Sequence, residues 1–365
     1  MTSSPRERFL AYVRRVSDAR PIVSPFLPHP DVVQATLVYL GLPVSGDAIQ
    51  DEIRLARALD YEPMFMTDCP GLLFPWEEDG SLSDSEWIVY VLRTAKGAWW
   101  RRVSRALGPW GDDSGFPVKT EADHEFIVQV CDEIEQRESE IRYYFREWRR
   151  RVGEEGVIVI GHPHITWLAY QISQQNLIYH YADYPAAFRR SEEAIYKASL
   201  FIFSIAMEEG IDFMSESCYG MEMNSPARFD EQDLPYLQRL SDWTHERNGL
   251  FWYHNCGMTR SLILSGRFNL FRPDVLETLA PPPEGDNDLA ESRRYLDRAI
   301  CTKGNLSLRT LRDGTVKDVV REAKGIVDAV RGYRHIYSTA DAVLPGTPPE
   351  NLVAFVRTVR EATEK

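Results

Sequence analysis

Residues 250–256 read LFWYHNC, so that four apolar or aromatic residues lead directly into His254, and Cys256 follows two positions later. A short, uninterrupted apolar run is typical of a strand that is covered on both faces in a parallel sheet. Because side chains alternate along an extended strand, His254 and Cys256 share one side, and Tyr253 is expected in the core on the other. The stretch therefore predicts a buried strand that ends in polar side chains.

Runs of this kind recur along the chain, with room for a helix between most of them. The eight runs are 21–26, 62–67, 156–160, 211–215, 250–254, 274–279, 299–303 and 334–339. Between them, segments such as 317–331 place Val319, Ala323 and Ile326 on one helical face. Strand followed by helix, eight times, predicts an α/β fold: a single (β/α)8 TIM barrel over 1–365, with its active site at the carboxyl ends of the strands.

Residues 70–121 do not fit the minimal barrel and are predicted to form an insertion after the second strand. Two β-prone runs about Ala95-Lys96-Gly97 predict a hairpin, and a long helix is expected over 121–150. Loops inserted after a barrel strand lie over the active-site face, so the hairpin is a candidate lid or substrate wall. Packing of the hairpin onto the barrel is the simpler explanation of its aromatic side chains, because aromatic stripes are usually buried.

The composition excludes several classes of function. A formal net charge of −13 argues against a nucleic-acid-binding surface, which needs a clustered excess of Lys and Arg. The five cysteines form an odd, sparse set, and the amino-terminal residues lack the pattern of a secretory signal, which together predict a reduced, cytoplasmic protein. We expect no membrane span, because no uninterrupted apolar run approaches the ~20 residues that one requires.

Several segments together resemble the uroporphyrinogen-decarboxylase superfamily, which includes the decarboxylases and the cobalamin-dependent methyltransferases. The resemblance covers nearly the whole chain, and it rests on the order and spacing of its segments. These segments are RERFLAYVRRVSDARPIV (6–23), FMTD (65–68), WYHNCG (252–257), APPPEGDNDLAE (280–291), KGNLSL (303–308) and STADAVLPGTPPENL (338–352). The resemblance implies the same barrel fold.

One departure from the family pattern bears on the substrate. The decarboxylases carry an Arg-Gln-Ala-Gly-Arg motif after the first strand, where this chain reads LPHPDVV (27–33), with no arginine between Arg20 and Arg54. Without arginine pairs, the chain lacks the charge complement of a polyacidic porphyrinogen. Asp68 does correspond to the catalytic aspartate of the decarboxylases.

The pair His254 and Cys256 resembles the zinc site of the corrinoid-linked methyltransferases. An imidazole and a thiolate on one side of a strand can converge on one ion, and a zinc Lewis acid could activate a thiol or polarise a methyl ether oxygen. The alternative is a buried histidine and cysteine that pack the barrel mouth. The family's third ligand is a cysteine after strand eight, and the corresponding position here is Asp341, which would give a harder, oxygen-containing site. Cys218 and Glu216, which follow the fourth predicted strand, are alternative third ligands.

Other polar residues at predicted strand ends are candidates for catalysis or substrate contact. Glu216 ends the fourth strand, where family members carry an acidic residue; it is a candidate general acid or orienting group, or a carboxylate that only binds loop amides. Candidate substrate contacts are His29, His162, His164 and Asn305, although His162 and His164 also suit a structural loop. Cys301 lies within a strand and is expected in the core.

The resemblance and these residues predict a methyltransferase that moves a methyl group from a small methylated substrate, with an O-methyl group favoured, to a partner corrinoid protein. The chain shows no cobalamin-binding module, so the cobalamin is expected on that partner. The alternatives are a metal-independent decarboxylase that uses Asp68 on a small carboxylic acid or porphyrinogen-like substrate, and a non-catalytic binding barrel. The row of polar strand ends argues against the last, because burying such groups without a purpose is costly.

Overall fold

Apolar runs of the sequence form a parallel sheet in the computed structural model, which describes residues 3–15, 19–67, 70–108, 115–161, 165–218 and 225–363. Among these residues the strands, in chain order, are β1 (Met64–Met66), β2 (Glu77–Glu78), β3 (Trp87–Thr94), β4 (Gly97–Ser104), β5 (Val157–Val159), β6 (Phe213–Cys218), β7 (Leu250–Asn255), β8 (Val275–Thr278), β9 (Cys301–Leu306) and β10 (His335–Thr339). The larger sheet has seven parallel strands in the order β1-β5-β6-β7-β8-β9-β10, and β2, β3 and β4 form a separate antiparallel sheet.

The prediction of eight strands was wrong at the first run, 21–26, which forms only one isolated parallel bridge, between Val23 and Tyr337. The sequence here is PIVSPFLP, and the proline at position 25 has no N–H with which to continue a ladder. In the same segment, the carbonyl of Val23 also accepts a hydrogen bond from the backbone N–H of Glu62, a residue just before β1. Both ends of the parallel sheet therefore meet this segment, and the sheet curls in a way consistent with a TIM-like barrel.

Helices connect most of the strands. In chain order they are α1 (Pro5–Val13), α2 (Pro30–Tyr39), α3 (Ala48–Leu59), α4 (Pro70–Leu73), α5 (His124–Asp132), α6 (Glu138–Val152), α7 (Ile165–Ile172), α8 (Gln174–Asp183), α9 (Pro185–Glu208), α10 (Pro226–Arg228), α11 (Leu234–Glu246), α12 (Arg260–Leu264), α13 (Leu289–Tyr295), α14 (Leu308–Asp313), α15 (Val316–Ala329) and α16 (Pro349–Thr363). In the described part of the chain, no helix is long and apolar enough to cross a membrane.

The chain divides into two compact units, of which the first contains the parallel sheet. The first unit comprises Met1–Thr67, Trp148–Val159 and Ile211–Lys365, and the second comprises Asp68–Glu147 and Ile160–Gly210. In the first unit, α15 begins with a capping box at Thr315 and buries Val319, Ala323 and Ile326, as the helical pattern predicts. Alternate side chains of the parallel sheet form a shared apolar core with Phe9 of α1.

This core determines which side chains face the interior at the carboxyl ends of the strands. Its members include Trp252 on β7, Val275 on β8 and Cys301 on β9, which confirms the core position predicted for Cys301. Because side chains alternate along a strand, the residues two positions later project to the same side. Those residues are His254, Glu277 and Lys303.

The second unit contains the predicted hairpin, formed by β3 and β4, with the short strand β2 alongside β3. The predicted long helix over 121–150 is divided into α5, a 3-10 turn (Ile134–Arg137) and α6. Two histidines are buried in this unit: Nε2 of His124 lies 3.0 Å from Nδ1 of His180, and Nδ1 of His124 lies 2.9 Å from Oγ of Ser191. That the hairpin is a lid stays a prediction.

Candidate active site

Three neighbouring strands place a row of titratable side chains across the interior of the parallel sheet. His254 on β7 is in register with Glu277 on β8, and Glu277 is in register with Lys303 on β9. Residues in register on adjacent strands have their Cβ atoms close enough for direct contact on one face. The row is therefore a product of the sheet's register, and no loop has to fold to form it.

Glu277 is the centre of this row, and both of its carboxylate oxygens are engaged. Oε1 lies 3.0 Å from Nδ1 of His254, and Oε2 lies 2.8 Å from Nζ of Lys303. The Glu277 side chain is fully buried and that of Lys303 is 2% exposed, whereas His254 is 12% exposed. The two buried charges are thus paired, and the imidazole is the most exposed member of the row.

The electrostatics of the row fix the protonation of His254 at Nδ1. Burial alone would raise the pKa of Glu277, but Lys303 and His254 hold that pKa far below its ordinary value, so the carboxylate is ionised and can only accept hydrogen bonds. Nδ1 of His254 must therefore donate to it. Burial disfavours the imidazolium, but Cys256, the hydrogen bond to Glu277 and the charge of Asp341 together raise the pKa of His254 well above its ordinary value.

Asp341 and Cys256 approach the exposed end of the imidazole. Asp341 follows β10, and its Oδ2 lies 3.9 Å from Nε2 of His254. Cys256 follows β7 as a partly exposed thiol outside any disulfide, and its side chain is hydrogen bonded to His254. The three residues predicted as metal ligands are therefore neighbours.

The donor chemistry fits a zinc ion, although the site is not fully assembled. Within the part of the chain that the structure describes, no three His, Cys, Asp or Glu side chains are grouped closely enough to form a ready-made metal site. Two oxygen or nitrogen ligands of one tetrahedral zinc, bonded at ~2.0–2.2 Å, are roughly 3.3–3.6 Å apart. The 3.9 Å between Asp341 and His254 exceeds that spacing by about half an ångström. Glu277 occupies the position of the carboxylate that commonly orients a zinc-bound histidine.

Glu216 is not brought to this row. It is fully buried on β6 and in register with Tyr253, whereas its neighbour Ser217 is in register with His254. Alternation therefore directs the Glu216 side chain to the side of Tyr253, away from the imidazole. Its Oε1 accepts a hydrogen bond from the N–H of Ser217, and burial raises the pKa of its carboxyl well above the ordinary value. A catalytic role for Glu216 stays a prediction.

The remaining predicted residues are dispersed or lie outside the described residues. Asp68, His162 and His164 are among those outside, as is the side chain of Cys218, whose backbone ends β6. His29 is the amino-terminal cap residue of α2, and its side chain makes no capping hydrogen bond. Asn305 is buried on β9 and donates a hydrogen bond from Nδ2 to the carbonyl of Leu279. Their contacts with substrate stay predictions.

Sequence reasoning missed Glu277 and Lys303, which hold the row together. Each lies two positions after a core residue in an otherwise apolar run, in DVLET (274–278) and ICTKG (300–304). A charge on the core-facing side of a buried strand is costly unless it is paired. These two charged residues at core-facing positions were therefore the indication, in the sequence, of a buried ion pair. Which residues pair depends on the strand register, which the sequence does not display.

A curled parallel sheet whose polar side chains gather at the carboxyl ends of its strands is typical of TIM-like α/β proteins. A family model described as uroporphyrinogen decarboxylase (URO-D) matches residues 122–362, so the chain belongs to the URO-D family. It is 34% identical over 86 residues to the uroporphyrinogen decarboxylase of Gluconobacter oxydans and 37% identical over 75 residues to that of Gluconacetobacter diazotrophicus. These matches span 24% and 20% of this chain, and 23% and 21% of those relatives.

The fold is also similar to that of a solved methyltransferase from Methanosarcina mazei. The two chains superpose with a TM-score of 0.67 over 99% of each chain, at 16% sequence identity. This similarity bears out the URO-D-like fold along the whole chain. At such low identity it shows the fold alone.

Proposed function

We propose that this protein is a zinc-assisted methyltransferase that moves a methyl group from a small O-methylated substrate to a corrinoid carried by a partner protein. The observation that supports this proposal best is the orientation of His254. Its Nδ1 is held by the buried Glu277, and its Nε2 is directed toward Asp341, beside the thiol of Cys256. Two further donors of the types that zinc prefers thus lie next to the imidazole, at the carboxyl ends of the strands.

Each residue of the site has a distinct part in the proposal. His254, Cys256 and Asp341 would hold the metal. Glu277 fixes the ring through Nδ1, so that Nε2 would give up its proton and become the ligand atom when zinc binds. Lys303 neutralises Glu277, so that the carboxylate stays ionised although it is fully buried. When bound, zinc would supply a Lewis acid that polarises the ether oxygen of the substrate.

The proposed reaction balances as a methyl transfer between an oxygen and a cobalt atom. The bond between the methyl carbon and the ether oxygen breaks, and its electron pair stays on the oxygen, which takes up one proton from water. The methyl group forms its new bond with the electron pair of cobalt(I), which is thereby oxidised to cobalt(III). The products are an alcohol or phenol and a methylated corrinoid.

The charges of the site support this proposal over decarboxylation of a polyacidic porphyrinogen. A substrate with many carboxylates requires several cations that are free to pair with it. Lys303 is already neutralised by Glu277. The segment after residue 26 also lacks the arginines of the family motif.

The first test is the metal content of the full-length protein, purified without chelators, supplied with zinc and dialysed. We expect one zinc ion per chain in the wild type and none in Cys256→Ala. Cys131→Ala is a control because it removes a cysteine thiol elsewhere, on α5, and should retain the metal. A wild type that binds no zinc, or a Cys256→Ala variant that retains it, would contradict the metal site.

The second test measures methyl transfer with free cob(I)alamin as the acceptor. The zinc-loaded protein is incubated with a panel of methoxy compounds and methanol, and methylcobalamin is followed by its absorbance. We expect formation with at least one O-methylated donor, and none with Cys256→Ala. If zinc binds but no donor in the panel or its methylthio analogues reacts, the methyltransferase proposal fails while the metal site stands.

A further inference from the structure

A cavity of about 150 Å³ lies in the first unit, between the proline-rich segment, the edge strand β1 and the helices α2 and α3. It is bounded by Phe26 and Leu27 on the proline-rich segment, by Met64, Phe65 and Met66 of β1, and by the first turns of α2 and α3. Among the described residues, the backbone bond from Glu62 to Val23 is the last that joins the segment to the residues about β1. Beyond this bond the two stretches separate, and the cavity occupies the gap.

The walls of the cavity combine aliphatic side chains with aromatic rings and thioethers. Phe26, Phe65 and Trp148 contribute rings, and Met64 and Met66 contribute thioethers. Thioether sulfurs make favourable contacts with aromatic rings and adapt to irregular shapes. A cavity of about 150 Å³ with apolar walls is large enough to hold one benzene ring.

One carboxylic acid interrupts these apolar walls. Glu52, on α3, lines the cavity with only 6% of its surface exposed, and its Oε1 has no hydrogen-bond partner among the described residues. The hydroxyl of Tyr61, near enough to interact with Glu52, is also buried without a partner in the described part of the chain. Buried polar groups are almost always hydrogen bonded, so this pair indicates a missing partner.

We propose that this cavity is a binding site for a small hydroxylated ring of the size of phenol, whose ring packs against Phe26, Phe65 and Trp148 and whose hydroxyl binds Glu52. The size of the cavity sets the limit of one ring, and its rings and thioethers favour an aromatic ligand. The site is separate from the proposed zinc ligands and does not depend on the proposed function.

A neutral hydroxyl suits Glu52 better than a charged group does. Burial raises the pKa of the Glu52 carboxyl well above its ordinary value, and no cation among the described residues offsets this. A protonated carboxyl can both donate to and accept from a hydroxyl. A ring without a polar group would fill the cavity but would leave Glu52 unpaired, which is unfavourable.

Phe26 links this cavity to the candidate active site. Its ring lines the cavity, and its centroid also lies 5.6 Å from Nζ of Lys303, the residue that neutralises Glu277. A ligand against one face of the ring can therefore change the packing beside that pair. The binding test nevertheless requires no assay of activity.

The proposal is tested by 19F NMR titration of the full chain with 4-fluorophenol and with fluorobenzene, which has the same ring without the hydroxyl. We expect the wild type to bind 4-fluorophenol at least roughly tenfold more tightly, because fluorobenzene leaves a buried polar group unpaired. Glu52→Gln, which keeps a hydrogen-bonding group, should retain this preference, and Glu52→Leu should lose it.

A cavity-filling variant locates the site. Ile49→Phe adds a ring at a buried position that lines the cavity and should abolish binding, whereas Ala58→Phe, at an exposed position of the same helix, should not. Thermal melting by circular dichroism verifies that each variant is folded. The proposal is overturned if 4-fluorophenol does not bind at its solubility limit, if the two probes bind equally, or if Ile49→Phe still binds.

Discussion

Oε2 of Glu277 lies 2.8 Å from Nζ of Lys303, and both side chains are almost completely removed from solvent. Lys303 Nζ also lies near the rings of Phe26 and Trp252, at 5.6 and 5.7 Å from their centroids, where a cation is attracted by the aromatic faces. An ionised carboxylate, paired with an ammonium group, therefore lies directly behind His254. The contribution of the Glu277–Lys303 pair to the stability of the protein and the effect of Glu277 on zinc binding can be measured separately.

Lys303→Met should destabilise the protein strongly. The substitution leaves the Glu277 carboxylate buried without its cation, which costs about 3–5 kcal/mol in the free energy of unfolding. The double variant Lys303→Met/Glu277→Gln removes both charges and should recover more than half of that loss. Urea denaturation followed by circular dichroism provides the measurement, with the exposed Lys324→Met on α15 as control. Equal losses in the single and double variants would show that the pair has no such coupling.

Glu277→Gln should weaken zinc binding while leaving all three proposed ligands in place. An amide at this position cannot supply the negative charge that orients the imidazole and increases its basicity. Loss of such an orienting carboxylate typically lowers metal affinity by about 10–100-fold. Competition with a chromophoric chelator measures the change. Unchanged affinity would mean that Glu277 serves only the fold.

Asp341→Ala should lower zinc affinity, whereas Asp341→Cys should retain zinc, because a thiolate is an equally suitable ligand. The exposed Asp313→Ala is the matched control, since it removes a carboxylate without touching the site. The same chelator competition distinguishes the variants. If Asp341→Ala binds zinc as tightly as the wild type, the third ligand is another residue, with Cys218 the first to examine.

The paired histidines of the second unit should make the protein sensitive to acid. Burial, together with the neighbouring His180, lowers the pKa of His124 to about 4, from 6.5 in the unfolded chain. Between these values the unfolded chain binds more protons, so the free energy of unfolding falls as the pH decreases from 6.5 to 4, by up to roughly 3 kcal/mol. Urea denaturation across this range should show a smaller fall in His124→Gln, whose side chain does not titrate. Identical slopes in both proteins would exclude His124 as the source.

The pattern of apolar side chains predicted most of the fold, because strands that are buried on both faces consist of short, uninterrupted apolar runs. Seven apolar runs became strands of one parallel sheet. The run at 21–26 is also apolar, but it did not form a strand of the sheet. A strand needs backbone N–H donors, and proline has none. The break between α5 and α6 was missed for a different reason: a helical pattern continues through a short 3-10 turn.

Residues of the candidate site could be predicted where the alternation of side chains along one strand was enough to place them together. His254 and Cys256 follow from one strand, and the family resemblance added Asp341. Glu277 and Lys303 depend on how three strands align, and Glu216 depends on which side of β6 faces the interior. Register is set by the packing of the whole sheet, so no short stretch of sequence reveals it.

The proline-rich segment has a consequence for the growing chain on the ribosome. The N–H of Phe26 donates to Thr339 of β10, 313 positions later, so this edge of the sheet has no partner until almost the whole chain exists. At about 5–20 residues per second, the wait is on the order of 15–60 seconds. An ordinary apolar strand exposed for that time would be a template for pairing with other nascent chains. Prolines at 21, 25 and 28 remove three of its amide hydrogens, so we expect the residues that prevent a full eighth strand also to reduce aggregation of the unfinished protein.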